Sequence, residues 1–331
     1  MEKKASEKLM EQVQMLLRKR GQKAFEIAKN GVLQEKSIRE PVYEALRYFM
    51  EEFWYDVQHP ALLSLACEAV GGNSDVTVHV GAAMVLLAGA ADIHDDIIDK
   101  SKIKGSRPTV FGKFGEDIAL LAGDALLFKG LILLNEACER FPEKQRRAIL
   151  SLTKQAFFEI GNAEAKEVGF RGKFDVDPRA YLSIIETKAA VAGITARIGA
   201  VLGGGNSKEI NTLGNYGRTL GVLMTIRDDF IDVFEANELR NRVKNECLPL
   251  PILYALQNTR KKSKIIRLLE RDKITEKETE EILDLIMDMK EIQELKKEMR
   301  FLLNEAENLI RDVKKHRNIF RLLLWSTLED L

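Results

Sequence analysis

The sequence has little proline, few aromatic residues and no excess of either charge. Only 7 of its 331 residues are proline and 7% are aromatic, which excludes collagen-like chains, low-complexity chains and all-β folds with many turns. Basic and acidic residues number 51 each, so the formal net charge is zero. This balance does not favour nucleic acid or an anionic membrane as a partner. We therefore expect a helical globular protein that binds no nucleic acid.

Cysteine is also scarce. Cys67, Cys138 and Cys247 are far apart in the sequence and have no histidine nearby at zinc-site spacing, which argues against a disulfide framework and against a zinc knuckle. The amino terminus is charged from Glu2 onward, and no stretch reaches the roughly 18 uninterrupted apolar residues of a membrane-spanning helix. We expect a cytoplasmic protein with no transmembrane segment.

Helical spacing of apolar residues runs through almost the whole chain. Residues 1–58 predict two or three amphipathic helices, with breaks near Gly21, Gly31 and Pro41. Between residues 60 and 235 several segments are apolar or small on every helical face, which is typical of helices inside a bundle. These predicted helices cover about 60–70, 79–99, 118–134, 143–168, 178–201 and 208–235, and charged amphipathic helices follow. The sequence predicts one all-α domain of about ten or more helices.

Two acidic motifs share the spacing DDxxD. They are DDIID and DDFID, formed by Asp95, Asp96 and Asp99 and by Asp228, Asp229 and Asp232. On a helix these positions share one face, so each motif forms a carboxylate patch at the end of an apolar helix, and Asp92 extends the first patch by a turn. Mg²⁺ would relieve the repulsion, and proteins commonly share Mg²⁺ between carboxylates and a substrate diphosphate. We predict a catalytic Mg²⁺ and diphosphate site built from the six aspartates; the alternative is two solvated acidic helix faces.

The chain resembles the trans-prenyl diphosphate synthases, the polyprenyl synthetase family of class I isoprenoid synthases. The resemblance rests on HDDIIDKSKIKGSRPTVFGKFG from His94, GDALL from Gly123, the helix bearing Lys188, and DDFID followed by LPLPILYAL. It implies the all-α isoprenoid synthase fold, with residues 1–331 forming one large helical bundle around a central apolar cavity. It also implies a homodimer, three Mg²⁺ ions held by the six aspartates, and diphosphate contacts from Lys104 and Lys188.

Other positions depart from the family pattern, most of them at the residues that bind the second substrate, isopentenyl diphosphate. The family's GKRxRP is YDVQHP here, which places Asp56 and His59 where lysine and arginine are expected. The other departures are Ala88 in place of a histidine, Gly105 in place of the second of two arginines, Thr225 in place of a glutamine and Glu246 in place of a lysine. Lys244 lies close to Glu246, and we predict that it contacts the substrate diphosphate. We predict an enzyme that ionises an allylic prenyl diphosphate and releases pyrophosphate without isopentenyl diphosphate condensation, as terpene synthases do in cyclisation, elimination or capture.

Two alternatives remain open. In the first, the chain is a chain-elongating trans-prenyl diphosphate synthase, a prenyltransferase with a product of C20 or longer, in which Arg39, Arg47 or Arg107 replaces the missing basic groups. In the second, it is a regulatory subunit of a heteromeric prenyl synthase, although the retention of all six aspartates argues against this.

The resemblance also bears on substrate length. In the family, the residues four and five positions before the first motif set chain length, and here these are Ala91 and Ala90. They lie about one helical turn before the carboxylates, and Leu87 continues the wall by another turn. Small side chains there predict a deep apolar tunnel and an allylic substrate of C15 to C20 or longer.

Overall fold

The chain folds into a bundle of helices. A computed structural model describes residues 2–35, 38–271, 274–313 and 315–328. The described residues contain the following α-helices: α1 Glu2–Leu33, α2 Val42–Tyr48, α3 Gln58–Ala69, α4 Val78–Ile98, α5 Val110–Phe114, α6 Glu116–Cys138, α7 Glu143–Glu167, α8 Pro178–Lys188, α9 Ala190–Leu202, α10 Ser207–Phe234, α11 Ala236–Asn245, α12 Leu250–Ala255, α13 Lys262–Leu269, α14 Glu276–Ile286, α15 Lys290–Leu309 and α16 Arg317–Trp325. A short antiparallel hairpin, β1 Ile103–Lys104 and β2 Arg107–Pro108, joins α4 to α5. The predicted all-α fold is confirmed.

The first helix differs from the prediction, because α1 continues through both Gly21 and Gly31. A glycine inside a helix costs about 1 kcal/mol relative to alanine. Gly21, however, packs directly against Val57, where a Cβ atom would clash with the backbone carbonyl. The close contact between α1 and the segment before α3 requires this glycine and offsets its cost. The structure divides the helix predicted over 178–201 into two helices, α8 and α9, which meet at Ala189. Helix α8 packs against α7, whereas α9 packs mainly against α3 and α10.

Helices α4 and α10 form the centre of the bundle and carry the two aspartate motifs near their carboxyl ends. Helix α4 packs mainly against α6, and α10 packs mainly against α9. By length and composition alone, the segment Ser74–Ile98 could cross a membrane, but 61% of its apolar window is buried inside the protein. A central position in the bundle explains why this helix is apolar on every face.

Helices α3 and α9 approach each other closely at Gly199, where a Cβ atom would clash with the carbonyl oxygen of Leu63 and contact Ala66. We expect Gly199→Ala to lower the free energy of unfolding by about 2–3 kcal/mol, because backbone atoms cannot yield as a flexible side chain can. Gly161→Ala, in the middle of α7 with no atom within 4 Å of the added methyl group, is the matched control and should stabilise the protein by up to about 1 kcal/mol. Urea denaturation measures both, and equal effects would contradict the packing argument.

One carboxylate connects the first and last helices. Glu68, on α3, accepts hydrogen bonds from the Arg20 guanidinium of α1 at 2.7 Å and from Ser74 Oγ at 2.6 Å. His316 Nε2, immediately before α16, lies 2.9 Å from the same carboxylate. Burial raises the pKa of Glu68, but these hydrogen bonds outweigh burial and lower it overall. Glu68 therefore joins three parts of the chain that are distant in sequence.

Candidate active site

The first aspartate motif lies under the hairpin that follows α4. The hairpin returns Lys104 over the end of the helix, where its Nζ lies 2.9 Å from Asp92 Oδ1 and 2.8 Å from Asp96 Oδ1. The Asp96 side chain is only 1% exposed. Burial raises the pKa of Asp96 to about 7, although the charge of Lys104 opposes the shift.

The remaining carboxylates of this motif face other helices. Asp95 has a buried oxygen, Oδ1, with no hydrogen-bond partner among the described residues. Asp99 Oδ1 lies 3.2 Å from the Arg171 guanidinium. Burial, together with the charges of Asp95 and Glu246, raises the pKa of Asp99 to about 8. Glu246 follows α11, so the first motif reaches the helices that come after the second.

The second motif is divided between open and buried carboxylates. Asp228 keeps contact with solvent, but desolvation by the nearby protein atoms raises its pKa to about 6, although the charge of Arg227 opposes the shift. Asp229 is 3% exposed; it pairs with the Arg242 guanidinium through Oδ1 and accepts the Leu250 backbone N–H at 2.8 Å through Oδ2. Asp232 Oδ2 lies 3.4 Å from Arg242 Nε. Helix α11 therefore places an arginine inside the motif.

Lys188, the last residue of α8, joins the site from the side of α7. Its Nζ lies 2.9 Å from Glu164 Oε1 and 2.6 Å from Glu167 Oε2. Burial alone would lower the pKa of Lys188, but the charges of Glu167, Asp95 and Glu164 outweigh it and raise the pKa above its usual value. The ammonium group is thus held among three carboxylates and stays positively charged.

The first motif offers oxygens suited to a hard divalent cation. Asp92 Oδ2, Asp95 Oδ1 and Asp96 Oδ2 are buried and lack hydrogen-bond partners in the described part of the chain. Mg²⁺ prefers carboxylate oxygens and would stabilise their ionised form. Across residues 2–35, 38–271, 274–313 and 315–328, no three acidic, histidine or cysteine side chains are already arranged as a metal cluster. Lys104 supplies a positive charge at this motif, where its side chain is 37% exposed.

The raised pKa values of these carboxylates predict how the stability of the metal-free protein changes with pH. The pKa values of Asp96, Asp99 and Asp229 rise from 3.8 to about 7, 8 and 7. Because a raised folded-state pKa means that the folded state holds more protons, stability falls as pH rises from about 4 to 8. In EDTA, the melting temperature should be lower at pH 8 than at pH 6, and Mg²⁺ should reduce this difference. An equal melting temperature at both pH values in EDTA would contradict the expectation.

Some sequence-predicted substrate contacts are separated by the structure. Ala91 is exposed on the face of α4 that carries Asp95, and Leu87 is partly buried beside it. Ala90 is 1% exposed and belongs to the same core cluster as Phe49. It lies about 100° around the helix from Ala91, and its position on the cavity wall stays a prediction. Lys244 is exposed and lies about 200° around α11 from Arg242, so the structure does not bring it to the aspartates.

Several charged residues of the site were not predicted from the sequence. They are Arg242, Glu164, Glu167, Arg171 and Glu246 as an ion-pair partner. The spacing of Glu164 and Glu167 shows that they share a helical face, but nothing in the sequence shows that Lys188 meets them. Arg242 has no signal of its own among the many basic residues of α11.

The substituted residues at the start of α3, Asp56 and His59, form a paired unit. Asp56 accepts the backbone N–H groups of Gln58 at 2.9 Å and His59 at 3.2 Å, and His59 Nδ1 lies 2.8 Å from its carboxylate. Burial lowers the pKa of His59, but the charge of Asp56 outweighs it and raises the pKa overall. These residues cap the start of α3, and the one cationic group they offer is already paired.

Comparisons with known proteins agree with this architecture. A sequence model described as polyprenyl synthetase matches residues 58–286. A short chain isoprenyl diphosphate synthase of Methanothermobacter thermautotrophicus is 31% identical over 69% of this chain and 66% of its own. A geranylgeranyl diphosphate synthase of Methanosarcina mazei is 32% identical over 63% of this chain and 64% of its own. The crystal structure of geranylgeranyl pyrophosphate synthetase from Pyrococcus horikoshii superposes with a TM-score of 0.84 at 22% identity, over 97% of this chain and 99% of that one.

These findings overturn one prediction. The matched segment spans just under two thirds of the two curated relatives, and both are named as synthases of isoprenyl diphosphates. The prediction of terpene-synthase-like ionisation without isopentenyl diphosphate condensation is therefore wrong. It rested on missing basic side chains, but other cations and backbone N–H groups can also bind a diphosphate. These departures show where the binding groups have changed and do not show that the step is lost.

Proposed function

The chain belongs to the polyprenyl synthetase family, and we propose that it is a Mg²⁺-dependent chain-elongating prenyltransferase. Such an enzyme joins an allylic prenyl diphosphate to isopentenyl diphosphate and releases pyrophosphate. The observation that carries the proposal is that the two aspartate motifs share charged neighbours: Lys104 acts on both Asp96 and Asp232, and Glu246 acts on both Asp99 and Asp232. When bound, Mg²⁺ would neutralise the charge that develops on the departing pyrophosphate. Asp95, Asp96 and Asp228 offer oxygens to the ions.

The protein side chains would bind both ends of the allylic substrate. Lys188 and Lys104 place ammonium groups beside the carboxylates, where they can contact the diphosphate. The prenyl chain would run along the accessible face of α4, from Asp95 past Ala91 and Ala88 to Met84. Once covered by the prenyl chain, this apolar face would help to exclude water from the reacting carbon.

Groups other than Asp56 and His59 must bind isopentenyl diphosphate, because Asp56 is acidic and His59 is already paired with it. Arg107 pairs with Lys104 across the hairpin, so the two side chains share one face of it. We assign isopentenyl diphosphate binding to Arg107, whose guanidinium now donates to the Glu52 carbonyl oxygen. Arg107→Gln should raise the KM for isopentenyl diphosphate more than the KM for the allylic substrate, and equal changes would contradict the assignment.

Incubation with farnesyl diphosphate, isopentenyl diphosphate and Mg²⁺ tests the proposed function. We expect a longer prenyl diphosphate and equimolar pyrophosphate, and no pyrophosphate when isopentenyl diphosphate is omitted. Hydrocarbon products in its absence, or no product with any allylic substrate from C10 to C20, would contradict the proposal.

Chain length should depend on Ala91. Ala91→Phe places a ring in the open space below Asp95, so we expect a shorter maximum product with little loss of stability. Ala90→Phe inserts the same ring into the core beside Phe49 and should lower the free energy of unfolding by about 1–3 kcal/mol. Product analysis and urea denaturation separate the two effects. An unchanged product length in a folded Ala91→Phe variant would place the prenyl chain elsewhere.

We also propose that the protein is a cytoplasmic homodimer. One face of α6 exposes Leu121, Phe128 and Ile132 at 51%, 68% and 49%, and such an apolar face is typical of a subunit interface. The three cysteines are free and buried, which fits a reducing compartment. A monomeric mass in solution at micromolar concentration would contradict the dimer.

A further inference from the structure

A buried arginine occupies the centre of the second aspartate motif. Arg242 is 8% exposed. One of its terminal nitrogens pairs with Asp229 Oδ1 and lies 2.9 Å from the Tyr181 hydroxyl oxygen, and the other lies 3.0 Å from Glu246 Oε2. Its Nε is 3.4 Å from Asp232 Oδ2. The guanidinium is therefore held from several sides.

Asp229 is fully engaged by protein groups. Its second oxygen accepts the Leu250 backbone N–H at 2.8 Å, which ties the motif to the start of α12. An ion on Asp229 would lie about 2.1 Å from a carboxylate oxygen and hence roughly 4 Å from the guanidinium. Two cations at that distance in a buried site repel strongly. Both oxygens of Asp229 therefore already have protein partners, one of them a cation, and a metal ion bound to either oxygen would lie close to that cation.

Lys104, at the first motif, is held less tightly by its neighbours than Arg242 is at the second motif. The Lys104 side chain is 37% exposed, and its two partners, Asp92 and Asp96, keep further oxygens without hydrogen bonds. A lysine in this position can move aside when an ion arrives, since solvent is next to it. Arg242 has no such exit, because Tyr181 and Glu246 also hold it and its charge is permanent.

We infer that Arg242 takes the place of one divalent cation at the second aspartate motif, so that the chain assembles its diphosphate site with one ion fewer than the three that its resemblance to the family implies. Asp229 then acts as the anchor of Arg242, and the ions bind at the first motif and at Asp228. Arg242 is a positioning residue in this arrangement. The inference rests on the proposed function, because it concerns the ions that accompany the substrate diphosphate.

The number of bound ions tests the inference without any turnover. Wild-type protein is titrated with Mn²⁺ at saturating inorganic pyrophosphate, and free Mn²⁺ is measured by electron paramagnetic resonance. We expect one ion fewer than three per chain. Arg242→Gln should bind one more ion than the wild type, whereas Arg240→Gln, an exposed residue of the same helix, should bind the same number.

A wild-type count of three ions overturns the inference and leaves the proposed function in place. An unchanged count in a folded Arg242→Gln variant overturns the inference as well. The wild-type count does not depend on whether any variant folds. Absence of pyrophosphate-dependent Mn²⁺ binding overturns the proposed function, and the inference with it.

Discussion

Asp95→Ala is expected to lower the rate of pyrophosphate release by about 10²- to 10³-fold or more, the range seen when one preorganised group that stabilises developing charge is removed. Asp95 has a buried oxygen that finds no hydrogen-bond partner in the part of the chain that the structure describes, and its charge acts on both Asp99 and Lys188. The substitution would remove a proposed oxygen ligand of Mg²⁺ at the point where the motif meets α8. Release of pyrophosphate from labelled substrate at saturating Mg²⁺ measures the effect.

The same variant should not destabilise the metal-free protein. Asp95 is a like charge beside Asp96 and Asp99 and raises the pKa of both, so removing it relieves repulsion, and the melting temperature in EDTA should stay the same or rise. Asp284→Ala, at an exposed position on α14, is the control and should change neither property. Near wild-type turnover in a folded Asp95→Ala variant would exclude this carboxylate as a catalytic ligand.

Lys188→Ala is expected to lower kcat/KM by about 100-fold and to weaken pyrophosphate binding to a similar degree. The substitution would remove the proposed charge-assisted contact to phosphate, and it leaves Glu164 and Glu167 facing Asp95 with no ammonium group between them. Burial already raises the pKa of Glu164 to about 7 with Lys188 present, so its loss favours protonation of Glu164 further. Calorimetric titration with pyrophosphate and Mg²⁺ measures the binding loss directly.

Two further variants show whether the charge of Lys188 is what matters. Lys188→Arg keeps the positive charge and should recover most of the pyrophosphate affinity. Lys166→Ala removes an exposed lysine from the last turn of α7 and should have no effect. If Lys188→Ala loses stability but binds pyrophosphate as the wild type does, its role is limited to holding α7 and α8 together.

The sequence was informative where the local pattern determines the structure. DDxxD on an apolar helix predicts both the helix and a carboxylate patch, and α4 and α10 follow this prediction closely. Contacts between distant segments were not visible: Arg242 meets Asp229 only because α11 folds back beside α10, and Gly21 is compatible with a continuous α1 only because Val57 packs against it. Ala90 and Ala91 illustrate a third limit, since adjacent helical residues point about 100° apart and small residues do not show which of them faces the open space.

The contacts of Glu68 bear on how the protein is made in the cell. Arg20 leaves the ribosome well before His316, which completes the site that holds it and lies almost 300 residues later in the sequence. At roughly 5–20 residues per second, tens of seconds of translation separate the two. During that interval the nascent chain carries α1 without this partner, and the bundle closes at this point only after His316 has been synthesised.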